Sequence, residues 1–181
     1  MKKILITTGG TGGHVIPAEI IAEHLTDKYE IYFSTDLRGQ TYLEKNDNIT
    51  VIDTPQLSLN FSFPFRLFKF FNFSINSISF LKKKKIDKLI STGGYMSLPL
   101  CLGAKFLGLK IFLLEPNSTI GRANKFYLSF SEKIICYSEN IINFPKKFDK
   151  KKIITTSVDK SKLDAVFQKN LEETKEQLKK I

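Results

Sequence analysis

Short apolar runs and amphipathic stretches alternate along most of the chain. Lys3–Thr8 (KILITT) is a β-branched apolar run ending in glycines, the pattern of a strand buried on both faces. Pro17 suits the first position of a helix. Behind it Ala18, Ile21, Ala22 and Leu25 recur at i, i+3, i+4 and i+7 and give one apolar face. Tyr29–Ser34 and Ile49–Thr54 read as strands, Phe65–Lys85 as a long helix, and Ile86–Ser91 as a strand running toward Gly93-Gly94. Leu98–Leu107 is a helix, Lys110–Leu114 a strand, Ile120–Leu128 a helix, Lys133–Tyr137 a strand and Lys152–Thr156 a further one.

Strands alternating with helices imply right-handed crossovers and an α/β fold with a doubly wound parallel sheet. The expected domain covers residues 1–158. In 159–181, Leu163, Phe167, Leu171, Leu178 and Ile181 share one helical face, predicting an amphipathic helix packed on the domain. Ligands of such sheets bind beyond the carboxyl ends of the strands. The unusual residues fall there: Gly9–His14, Gly93–Tyr95 and Glu115–Asn117.

The first of these, Thr8-Gly9-Gly10-Thr11-Gly12-Gly13-His14, joins a strand to a helix. Glycines admit positive φ and let the backbone approach a ligand. The helix behind them offers free N–H groups and a positive dipole, so a phosphate or diphosphate is the natural guest. The spacing is neither GxGxxG nor a P-loop. His14, at a helix start beside four glycines, is better placed to meet a ligand than to pack a core.

Composition narrows the partners. The 181 residues carry 28 Lys+Arg against 18 Asp+Glu, a net charge of +10, and only Arg38, Arg66 and Arg122 are arginines. The excess is lysine, a point charge that attracts anionic surfaces without bidentate recognition. Scarce arginine and the lack of helix-turn-helix, RNP or zinc patterns argue against nucleic acid. Cys101 and Cys136 give no disulfide framework or zinc spacing and read as buried free thiols. No signal-peptide pattern follows Met1, so a cytoplasmic location is expected.

Asn60–Lys85 holds eight of the sixteen phenylalanines. On a helical wheel Leu67, Phe68, Phe71, Ile75, Ile78 and Leu81 form the expected core stripe. Phe70, Phe73 and Phe80 then fall on the other side near Arg66 and Lys69, followed by Lys82–Lys85. Aromatics beside cations suit an anionic membrane surface. Arg66, Lys69 and three asparagines argue against a membrane span.

Thr8–Ala18 (TGGTGGHVIPA), Ser91–Pro99 (STGGYMSLP) and Leu114–Lys125 (LEPNSTIGRANK) closely resemble, in order and at matching spacing, three motifs of the MurG family. These are peptidoglycan N-acetylglucosaminyltransferases (lipid II synthases) with the two-domain GT-B fold. The resemblance spans about residues 3 to 145. It implies a Rossmann-like N-terminal, acceptor-binding half of a GT-B glycosyltransferase, with the C-terminal donor-binding domain absent. The implied reaction moves GlcNAc from UDP-GlcNAc to the C4 hydroxyl of MurNAc-pentapeptide on undecaprenyl diphosphate. UDP-GlcNAc would be the co-substrate. No metal or other cofactor is implied, in keeping with the lack of an Asp-x-Asp motif.

Residue by residue, the resemblance makes His14 the general base, a role a neutral imidazole suits at pH 7. Glu115 would orient a hydroxyl or His14. Thr11, Gly12, Gly13 and Asn117 would hold the donor or a diphosphate, while Tyr95 and Asn124 would contact the acceptor. Arg66, Lys69, Phe70, Phe73 and Phe80 correspond to the family's membrane-docking region. That implies a peripheral place on the inner face of a bacterial plasma membrane. A half enzyme holds only one of two reactants, so a separate donor-domain chain is an implied partner. The other reading is a non-catalytic, membrane-docked acceptor-lipid subunit of a split glycosyltransferase. Some positions depart from the family. Leu114 and Pro116 stand where it has His and Gln. The linker signature Gly-Asn-Pro-Val-Arg corresponds to Thr155-Thr156-Ser157-Val158-Asp159, placing an acid where an arginine is expected. Beyond it the tail helix reads as unrelated to the family.

Overall fold

Each apolar run of the sequence becomes a strand of one sheet. The strands are β1 (Lys2–Thr7), β2 (Tyr29–Thr35), β3 (Ile49–Val51), β4 (Lys88–Ser91), β5 (Lys110–Glu115), β6 (Lys133–Cys136) and β7 (Lys152–Ile154). In this computed structural model the described residues are 1–10, 12–43, 49–51 and 63–155, with side chains at 49–51 and 63–70 outside the description. The expected boundary at 158 and the helix over 159–181 also lie outside the described residues.

The sheet order is β3-β2-β1-β4-β5-β6-β7, and every pairing is parallel. The doubly wound expectation therefore holds. Central strands are buried along most of their length because helices cover both faces. Helix α1 (Gly12–Leu25) covers one face with Val15, Ala18, Ile21, Ala22 and Leu25, against Ile4, Ile6, Ile90 and Phe112. On the other face lie α3 (Phe63–Lys84), α4 (Leu98–Phe106) and α5 (Arg122–Tyr127), with Leu81, Leu100, Ala104 and Tyr127 against Leu5, Leu89 and Leu113. A single turn, α2 (Leu37–Gln40), follows β2. Cys101 and Cys136 are free and buried, and burial pushes both thiols up to about 12.

Two expectations change. Pro17 sits inside α1, which begins at Gly12, so Gly12 and Gly13 belong to the helix rather than to the loop before it. The carbonyl of Gly13 cannot receive the usual bond from residue 17, because proline has no N–H.

The second change concerns α3. Phe71 is 58% and Ile75 64% exposed, although the wheel assigned both to the core. Phe73 and Phe80 are half-buried, and Phe80 packs against the core. The cause is a close crossing with α4. Ser77 is buried, its Oγ lies 2.7 Å from the carbonyl oxygens of both Pro99 and Ser74, and a Cβ on Gly103 would stand 2.5 Å from it. A serine on a glycine therefore sets the buried face. At 3.6 residues per turn Phe73 and Phe80 fall within about 60° of Ser77, and Phe71 and Ile75 about 120–160° away. Leu81 is in the core as the wheel expects, but counting only large apolar residues put Phe71 and Ile75 there as well. Among the described residues no helix is long and apolar enough to cross a membrane.

Candidate functional site

Strands β1 and β4 are neighbours, yet the chain leaves β1 toward β2 and leaves β4 toward β5. That is the switch point of the sheet, where loops part and a crevice opens. The two glycine segments face each other across it. Gly94 has φ +85°, and a Cβ there would stand 3.2 Å from the carbonyl oxygen of Gly9. A Cβ on Gly9 would stand 2.6 Å from the sulfur of Met96. At Gly94 only a glycine lets the two backbones touch. Below them Thr92 Oγ1 donates to Thr8 Oγ1 at 2.8 Å, tying the two strand ends together.

His14 enters from the first turn of α1. Its Nδ1 lies 2.7 Å from the carbonyl oxygen of Thr92. A carbonyl only accepts, so Nδ1 carries the hydrogen and the Nε2 of the neutral ring carries the lone pair. A side chain at Gly93 (φ +94°) would meet His14 Cε1 at 3.3 Å and Asn124 Nδ2 at 3.5 Å. The imidazole and Asn124, from two distant motifs, thus flank one glycine. Asn124 is 1% exposed and donates through Nδ2 to the Leu114 carbonyl (2.9 Å) and to Glu115 Oε2 (3.1 Å). Its Oδ1 has no hydrogen-bonding partner among the described residues.

Glu115, 1% exposed at the end of β5, accepts four hydrogen bonds. They come from Asn117 N and Nδ2 at Oε1, and from Gly121 N and Asn124 Nδ2 at Oε2. Its oxygens organise the segment from Pro116 to Gly121, and none of these bonds goes to His14. Asn117 is exposed beside it, and half-buried Tyr95 begins a 3-10 turn (Tyr95–Ser97) after Gly94. Leu114, at the position of the family's histidine, is buried in the core under α1. Thr11 lies outside the described residues. Arg66, Lys69, Phe70, Phe73 and Phe80 lie on α3; the side chains of the first three are outside the described residues, and Phe80 packs on the core on the other face of the sheet from α1. Among the described residues no group of three His, Cys, Asp or Glu side chains is arranged to hold a metal ion.

Sequence reading passed over Asp36 and Arg38, although both follow the carboxyl end of β2, where ligands of this fold lie. Asp36 Oδ1 accepts from Gly10 N (3.0 Å) and caps α2 through Gly39 N (2.8 Å), while its Oδ2 pairs with Arg38. Burial opposes ionisation of this carboxyl, but the two backbone N–H bonds and the guanidinium outweigh it and hold Asp36 below the usual carboxylate range. A depressed folded-state pKa contributes stability above the unfolded value of about 3.9, and that contribution is lost as pH falls through the folded pKa. In urea denaturation Asp36→Asn should therefore be less stable than the wild type at pH 7 by about 1–2 kcal/mol. The gap should narrow as the pH is taken below 4; a gap independent of pH would remove the carboxylate from this account.

Residues 4–136 match the glycosyltransferase family 28 N-terminal domain. A Pelagibacter ubique (strain HTCC1062) protein, "UDP-N-acetylglucosamine--N-acetylmuramyl-(pentapeptide) pyrophosphoryl-undecaprenol N-acetylglucosamine transferase", is 52% identical over 156 residues. That stretch is 83% of this chain and 43% of the relative. A Rickettsia rickettsii (strain Sheila Smith) protein of the same name is 34% identical over 179 residues, 97% of this chain and 44% of its own length. Similarity thus runs past residue 158, and the tail, read from sequence as unrelated, is covered by it. The crystal structure of Acinetobacter baumannii MurG superposes with a TM-score of 0.72 at 25% identity, over 86% of this chain and 46% of that one. The chain spans less than half the length of the curated relatives it matches. Its sheet is that of the Rossmann-like N-terminal half of a GT-B glycosyltransferase, and the chain belongs to glycosyltransferase family 28.

Proposed function

We propose that this domain binds a polyprenyl-diphosphate-linked MurNAc-pentapeptide and presents its C4 hydroxyl to His14, for glycosylation by GlcNAc from UDP-GlcNAc in peptidoglycan synthesis. The observation that carries the reading is the Nδ1 bond to the Thr92 carbonyl. It leaves Nε2 as an acceptor at the mouth of the switch-point crevice. As the C4 oxygen attacks the anomeric carbon of GlcNAc, the bond from that carbon to the UDP oxygen breaks. The hydroxyl proton passes to Nε2, and UDP departs. Gly12 and Gly13 at the start of α1 supply N–H groups for phosphate oxygens. Tyr95, Asn117 and Asn124 line the sugar side. UDP-GlcNAc is the co-substrate and no cofactor enters the scheme.

Catalysis needs both reactants held together, and the length shared with relatives leaves the donor half outside these residues. The test is GlcNAc transfer from labelled UDP-GlcNAc to a short-prenyl lipid I analogue, with and without the donor half of the Pelagibacter relative. Transfer is expected when both halves are present. If the chain neither binds the analogue nor supports transfer, the reading fails. Binding without transfer in the complete mixture favours the second reading, a non-catalytic acceptor-lipid subunit.

A lipid-linked acceptor places the domain on the inner face of the plasma membrane. Among the described residues the exposed large apolar side chains of α3 are Phe71 and Ile75, and its C-terminal end carries exposed Lys82, Lys83 and, just beyond, Lys85. Apolar groups beside cations favour anionic lipid. Phe71→Ser combined with Ile75→Ser should weaken binding to phosphatidylglycerol vesicles about tenfold or more, with an unchanged melting temperature. Phe80→Ser should instead lower the melting temperature, because Phe80 packs on the core. Unchanged vesicle binding in the double variant would remove α3 from the membrane surface.

A further inference from the structure

We infer that Arg38 is the side-chain clamp for a diphosphate lying over Gly10, a role that rests on the acceptor reading above. Among the described residues, the Arg38 guanidinium is bonded along one edge. Its Nε and Nη2 donate to Asp36 Oδ2 at 3.3 and 3.0 Å. Asp36 itself is held from below by Gly10 N and Gly39 N. A guanidinium has five N–H groups, so three remain beyond this pair. They belong to a side chain that is 67% exposed, while the side chain of Asp36 is 11% exposed.

The guanidinium stands beside the glycine loop. Arg38 Nη2 would be 3.8 Å from a Cβ on Gly10, whose φ of +89° keeps a side chain out of that space. The loop backbone and the planar fork are therefore neighbours, both held by the Asp36 carboxylate. A fork takes one phosphate through two parallel bonds, which an ammonium cannot do. The chain has only three arginines among its 28 basic residues, and this one stands at the carboxyl end of β2. His14 and Asn124 lie on the β4–β5 side of the same switch point. The arrangement gives the acceptor a direction, with its diphosphate toward β2 and its sugar toward β4 and β5.

The test is calorimetric titration of the 181-residue chain with three probes: the short-prenyl lipid I analogue, the same compound with a single phosphate, and UDP-GlcNAc. Arg38→Gln should bind the diphosphate analogue about tenfold or more weakly. The monophosphate should lose less, so the preference for diphosphate over monophosphate shrinks. That ratio would not move if Arg38 merely held the loop. Arg38→Lys keeps the charge and a partner for Asp36 and should still lose about fivefold; it decides the matter if Arg38→Gln melts early. A loss confined to UDP-GlcNAc would overturn the clamp on the acceptor's diphosphate. Binding of every probe within twofold of wild type in a folded variant overturns the clamp and leaves the acceptor reading standing. A wild-type chain that binds neither lipid analogue overturns both.

Discussion

Replacing His14 with alanine will abolish GlcNAc transfer in the reconstituted two-part enzyme, with a loss of about 10²–10⁴-fold, the usual contribution of a general base. The expectation follows from one bond. Nδ1 is committed to the Thr92 carbonyl at 2.7 Å, which fixes the tautomer and the ring plane and aims Nε2 away from the strand end. Removing the imidazole takes away the proton acceptor and one hydrogen bond at a half-buried site, so stability should fall by only about 1 kcal/mol. The loss should appear in kcat, with affinity for the lipid I analogue kept within a few-fold, because no diphosphate contact is assigned to this ring. His14→Gln is the sharper variant. Its amide can still donate to Thr92 but cannot take a proton at pH 7, so it should be as inactive as alanine. Undiminished turnover in either variant removes His14 as the base. A loss carried by acceptor affinity alone would make it a binding residue.

The sheet was legible because burial on both faces leaves a simple trace: short β-branched runs separated by amphipathic segments. Each of the seven strands falls on a predicted run, and α1 buries the predicted Ala18, Ile21, Ala22 and Leu25. The candidate site was legible where glycines concentrate, at Gly9-Gly10 and Gly93-Gly94, whose backbones meet. Two kinds of information were not. The facing of α3 is set by Ser77 on Gly103, small residues that carry no hydrophobic signal, so the wheel placed Leu81 in the core correctly but put Phe71 and Ile75 there as well. The role of Asp36 depends on backbone N–H groups, from Gly10 and Gly39, that exist as partners only after β1 and β2 have paired. Glu115 is a related case. The sequence puts it at a strand end and its type invites a catalytic role, but its partners are the donors of its own loop.

Glu115→Ala is the substitution with the largest expected effect on stability. The carboxylate is 1% exposed and accepts from Asn117 N (3.2 Å), Asn117 Nδ2 (2.9 Å), Gly121 N (2.7 Å) and Asn124 Nδ2 (3.1 Å). Deleting it leaves buried Asn124 and the Gly121 amide short of a partner and opens a cavity at the end of β5. Among the described residues the segment it folds is also tied by two backbone bonds with Ile142, from Ile120 N to its carbonyl and from its N–H to the Ser118 carbonyl, and by the buried Ile120 side chain. Unsatisfied buried donors cost about 1–3 kcal/mol each, so a total loss of about 3–5 kcal/mol is expected. For a domain of this size that lowers the melting temperature by roughly 10 °C. Transfer activity should fall with it, since Asn124 loses its position beside Gly93 and Asn117 its tie to Glu115. Glu115→Gln separates positioning from chemistry. The amide keeps one acceptor oxygen and turns an NH2 group toward two donors, so both stability and activity should be intermediate. A Glu115→Gln protein with wild-type melting and a collapsed kcat would instead place this carboxylate in direct contact with the reacting groups.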